Sequence, residues 1–135
     1  MWRVHLCAVV LCACSAQQAT TSTDTFETVP VGSAASTSGS FTVTIYPQTD
    51  GLVQGLNAVE IVVMDAKATP VDGLTPTLVP WMPAMGHGAS TTPSIVPKQS
   101  GRYVANDVAL VMPGTWQLRV AVTAQEEAVV TVAVP

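Results

Sequence analysis

Residues 80–88 (PWMPAMGHG) gather two thioethers and one imidazole, at Met82, Met85 and His87, beside the indole of Trp81. Elsewhere the chain is mostly Val, Thr, Ala and Pro, so the sulfur and imidazole groups concentrate at one spot. Soft thioether sulfur prefers Cu(I), and imidazole also suits copper. Zinc asks for three or four ligands drawn from His, Cys and carboxylate, and too few stand nearby. Calcium and magnesium ask for oxygen cages, and the segment has no acidic cluster. If residues 85–87 are extended, Met85 and His87 point to the same face. Pro83, with its fixed φ, can turn Met82 back toward them, while Gly86 and Gly88 accept backbone conformations that other residues resist. The electron-rich face of Trp81 could carry a soft cation.

The same residues also suit a plug. Trp and Met are common core fillers, and a loop at the end of a β-sandwich must seal it. Spacing alone leaves both readings open. The other candidates read as structure. Met64 lies mid-strand, Trp116 alternates with Leu118 and Val120, and Tyr103 reads as a packing residue with its hydroxyl at a sheet edge. Catalysis has little to work with. Ser90 stands near His87, but no carboxylate is close in sequence to orient the ring. Glu126 and Glu127 are adjacent, hence on opposite faces of a strand, and read as solvated turn charges. The expectation is a protein that is not an enzyme.

Composition narrows the partners. The 135 residues bound one domain. Only five are Lys or Arg, against nine Asp and Glu, for a formal charge of −4. No basic patch can be built from so few cations, which argues against nucleic acid and against electrostatic membrane binding.

The N-terminus reads as an export signal. Arg3 precedes a short apolar run, residues 4–13 (VHLCAVVLCA), too short for a stable membrane span. Leu11-Cys12-Ala13-Cys14 looks like a bacterial lipobox, which predicts a signal peptide over residues 1–13 and a lipid anchor on Cys14. An ordinary signal peptide cut near Ala16 is the other reading. Either cut removes Cys7, Cys12 and His5 and leaves His87 as the single histidine. Residues 14–39, rich in Ser, Thr and Ala, read as a disordered tether, because they bury too little to offset their ordering entropy.

From Ser40 onward apolar residues alternate with period two. Strands are expected over residues 41–45, 56–65, 75–81, 89–96, 101–110, 115–123 and 128–134. Val59, Ile61 and Val63 share one face, as do Trp116, Leu118, Val120 and Val122. About seven short strands separated by Pro, Gly and Asp turns predict an all-β antiparallel sandwich over residues 40–135.

Three landmarks occur in order: WMPAMGHG (81–88), Gly101-Arg102-Tyr103, and MPGTWQLRV (112–120). Together they resemble the YtkA-like domain family, itself similar to the periplasmic part of FixH-type proteins, over about residues 40–135. The resemblance implies an immunoglobulin-like sandwich in an exported or membrane-anchored protein that handles copper. Carried over by position, it makes Met82, Met85 and His87 candidate ligands and Met112 a further one, although Met112 before the Pro113-Gly114 turn also reads as a core cap. The expected function is a lipid-anchored module of the bacterial cell envelope, facing the periplasm or cell surface. It would hold Cu(I) and exchange it with a copper-donating or copper-receiving envelope protein. The other readings are a protein-interaction module, with Trp81 and Met82 as apolar anchors, and a purely structural sandwich.

Overall fold

The computed structural model describes residues 25–135. The expected signal peptide, the lipobox with Cys14 and the first part of the expected tether, residues 14–24, lie outside the described residues. Nine strands form: β1 (Gly32–Ala35), β2 (Phe41–Pro47), β3 (Gly55–Asp65), β4 (Thr77–Met82), β5 (His87–Gly88), β6 (Ser94–Pro97), β7 (Arg102–Leu110), β8 (Gly114–Ala121) and β9 (Glu127–Val134). They build two antiparallel sheets, β1-β2-β3-β7-β6 and β5-β4-β8-β9. The all-β sandwich is therefore the fold.

Period-two alternation is what places the core. Val43 and Ile45 of β2, Val59, Ile61 and Val63 of β3, and Tyr103 and Ala105 of β7 face inward from the first sheet. Leu78 and Met82 of β4, Trp116, Leu118 and Val120 of β8, and alternate residues of β9 from Ala128 to Val134 meet them. Trp116 is the largest fully buried side chain, and its indole N–H donates to the Met112 carbonyl at 2.9 Å. Tyr103 is buried too. Its hydroxyl donates to the Val71 carbonyl at 2.8 Å and accepts from the Leu74 N–H at 3.1 Å, which ties the segment before β4 to β7.

One bulge interrupts the alternation. The β3–β7 register shifts between Asn57 and Val59, and β7 carries the extra residue, with Asp107 at φ 59°. Strict alternation after Tyr103 and Ala105 would turn Asp107 inward. The bulge exposes it and brings Val108 and Leu110 into the core instead.

The tether boundary needs correcting. Residues 32–35, expected to be disordered, form β1 in register with residues 42–45 of β2. Its residues are small for a physical reason: a Cβ on Gly32 would come within 2.6 Å of Val130 Cγ1 on β9. A segment this close to the facing sheet has no room for the large apolar residues that mark a strand in sequence. Ser36 also bridges Ala128 of β9, so the sandwich closes along this side. Along the other side the free edges run through β6 and β4, with Pro76, Pro80, Pro93 and Pro97 in or beside them. Prolines without N–H groups blunt such edges against further strand pairing.

The expected strand over residues 89–96 forms only at Ser94–Pro97. Upstream, the two residues of β5 pair with β4 in place of a longer strand.

Candidate metal centre

The segment that carries Met82, Met85 and His87 sits at one end of the sandwich, on a tight hairpin. Trp81 pairs with Gly88 and Met82 with His87 across the β4–β5 ladder. Between them Pro83 to Gly86 turn the chain. The N–H groups of Met85 and Gly86 both donate to the Met82 carbonyl at 3.1 Å, and Gly86 N–H also reaches the Pro83 carbonyl at 3.2 Å. Pro83 presets the first turn position, and Gly86 takes φ 66°, the left-handed conformation that closes a four-residue loop. Residues 85–87 are thus not extended, and the shared face expected for Met85 and His87 does not arise that way.

The shared face belongs to Met82 and His87 instead, because directly opposed residues project on the same side of a sheet. Their environments differ. Met82 is 7% exposed and belongs to the core, whereas His87 and Met85 are exposed, Met85 to 55% at the turn. The imidazole Nδ1 lies 3.1 Å from the Gly88 carbonyl. A carbonyl oxygen only accepts, so in the neutral imidazole this contact favours the Nδ1–H tautomer, with the lone pair on Nε2.

Met112 lies on the neighbouring turn of the same end. It is half-buried and packs against the core. Two residues on, Gly114 opens β8 at φ 128°, where a Cβ would come within 2.9 Å of Met82 Cε. The Met82 side chain therefore lies against the turn that carries Met112. The third loop of this end, residues 52–56, joins it through Gln54, whose side-chain amide donates to the Val111 carbonyl at 2.9 Å. Across residues 52–56, 80–88 and 110–116 there is no Asp, Glu, Lys or Arg. This end offers neutral sulfur, one imidazole and apolar surface, including exposed Val53, Met85 and Val111. Among the described residues no three His, Cys, Asp or Glu side chains gather into a metal site. One imidazole and neutral thioethers suit a soft cation better than a zinc or hard-cation centre.

Trp81 is not part of the gathering. It neighbours Met82 on the strand and so points to the opposite face. There the Arg119 guanidinium lies over its ring at 4.9 Å, held by Gln117 Oε1 through Nε at 3.2 Å and Nη2 at 2.9 Å. The cation over the indole is the chain's own. Sequence reading missed this contact, since nothing local links positions 81 and 119. The strand register links them, setting Arg119 opposite Val79, the outward residue before Trp81.

The family model described as YtkA-like matches residues 35–121, which take in β2 to β8, with the hairpin and Met112. No curated protein and no solved structure matches the chain.

Proposed function

The chain belongs to the YtkA-like family, and from that premise we propose that it is a non-enzymatic copper-binding module of the cell envelope. It is exported, anchored by lipid at Cys14, and exchanges Cu(I) with an envelope partner. The observation that carries this reading is the direct pairing of Met82 with His87 around the Met85 turn, beside the turn that holds Met112. In this reading His87 Nε2 and the Met85 thioether are the outer ligands. Met82 and Met112 supply sulfur from the core side. Thioethers bind soft Cu(I) without releasing protons, and the charge-free end disfavours hard, strongly hydrated cations.

A Cu(I) competition titration against a chromophoric chelator tests it, using the cysteine-free residues 15–135 so that no thiolate competes. The described part of this fragment contains both sheets and the core. Stoichiometric uptake that disappears in Met85→Ala/His87→Ala is the expected result. The second reading, a metal-independent protein-interaction module, draws on the exposed Val53, Met85 and Val111 at the same end. Wild-type protein that takes up no Cu(I) would leave that reading in place of the copper one.

A further inference from the structure

The outer face of the first sheet holds a groove remote from the β4–β5 hairpin. It has a volume of about 760 Å³, and Phe26, Glu60, Pro97, Lys98, Arg102 and Val104 line it. That size falls within the range of about 300–1,000 Å³ usual for small-molecule sites. Glu60 forms part of its floor. It is an outward-facing carboxylate that is nevertheless only 8% exposed. Its ion pair is with Arg102, and the contact is long and one-handed: Nη1 alone reaches Oε1 at 3.4 Å and Oε2 at 3.5 Å. Among the described residues Arg102 Nε and Nη2 have no partner. Arg119 is the contrast, since both its Nε and its Nη2 are engaged by Gln117 and its plane is stacked on Trp81.

Arg102 and Lys98 are half of the four Lys and Arg residues in the described part of an acidic chain, and both line this groove. We propose that the groove binds a small apolar carboxylate. The ligand's carboxylate takes the open Nε–Nη2 edge of Arg102 as a two-pronged hydrogen-bonded pair, which a planar guanidinium favours. Its apolar part lies against the Phe26 ring, Pro97 and Val104.

The test uses 3-phenylpropanoate as probe and 3-phenylpropylamine as its charge-reversed control, titrated into ¹⁵N-labelled residues 15–135. Saturable shifts of the Glu60, Arg102 and Val104 amides with the carboxylate, and none with the amine, are expected. Arg102→Lys keeps the charge but loses the fork, and weakens binding about ten-fold or more. Phe26→Ala, which leaves the ion pair untouched, weakens it as well. Equal shifts from the amine and the carboxylate would reduce the groove to an apolar trap and overturn the proposal. So would unchanged affinity in folded Arg102→Lys. If Arg102→Lys unfolds, Phe26→Ala decides instead, with weaker carboxylate binding expected and unchanged binding counting against the site.

Discussion

Met82 and His87 face each other as direct partners at the end of one ladder, one in the core and the other in solvent. A thioether that seals the sandwich thus stands on the same side of the sheet as an exposed imidazole. In the proposed reading Met82 is both core plug and inner sulfur, whereas the exposed Met85 and His87 serve the ligand set alone. Substitution can separate the two roles.

Met82→Ala empties a core position and is expected to cost about 2–5 kcal/mol in urea denaturation. Met85→Ala removes an exposed side chain from the turn and is expected to change stability by less than about 0.5 kcal/mol. If copper binding is then measured, Met85→Ala lowers the affinity with the fold unchanged. Equal stability losses in the two variants would mean that Met85 is packed and the division is wrong.

Gly114 tests the contact between the two turns. Its φ of 128° strains any other residue, and a Cβ would stand 2.9 Å from Met82 Cε. Gly114→Ala is expected to destabilise by about 1–3 kcal/mol. Truncating Met82 removes the steric part of that cost but not the backbone part. Gly114→Ala with Met82→Ala should therefore cost less than the sum of the two single changes, measured as a double-mutant cycle. Strict additivity would place the Met82 side chain elsewhere.

The N-terminal boundary is equally open to test. β1 pairs with β2, and its neighbour Ser36 bridges β9. A chain begun at residue 40 loses both and bares the β9 edge, so its urea midpoint should fall well below that of residues 25–135, or the protein should aggregate. Gly32→Val places a side chain where Val130 Cγ1 already lies 2.6 Å from the first added carbon. Overpacking of this kind costs about 1–3 kcal/mol. A midpoint unchanged by the truncation would return residues 25–39 to the tether.

Those elements also mark where the sequence is readable. β8 and β9 carry a period-two pattern and burial follows it, whereas β3 is a longer, mostly apolar run buried on both faces from Val59 to Val63. β1 has no large apolar residue because it lies too close to β9 to admit one, so the usual signal is missing for a steric reason. β5 is two residues long and is set by the turn before it, not by a pattern of its own. The candidate ligands were legible as types but not as an arrangement. The partner of His87 depends on a four-residue loop, and the environment of Trp81 on a strand 38 positions away, which only the β4–β8 register brings near. The Glu126–Glu127 pair, read as solvated charge, shows the same limit, since the partners of Glu126 are about ninety residues upstream.

Glu126 accepts the Ser38 N–H at 3.1 Å, and Thr37 Oγ1 exchanges hydrogen bonds with the backbone of Glu127 at 3.2 and 3.3 Å. The β1–β2 turn is thereby fastened to the β8–β9 turn, at the end of the sandwich opposite the hairpin. Hydrogen bonds from the Ser36 hydroxyl first, and then from the Ser38 hydroxyl and N–H, favour the ionised carboxylate and hold its pKa below the ordinary 4.5. A carboxylate whose pKa is depressed on folding contributes stability above its unfolded value. That contribution is lost as the pH falls through the lower, folded value. Glu126→Gln should therefore melt below the wild type near neutral pH. The two melting curves should converge as the solution is acidified below about pH 4.5, because the wild type then loses what the variant never had. The carboxylate is exposed, so the gap should be modest and should shrink in high salt. A gap that persists unchanged to about pH 2 would mean that the loss on substitution comes from geometry and not from the charge.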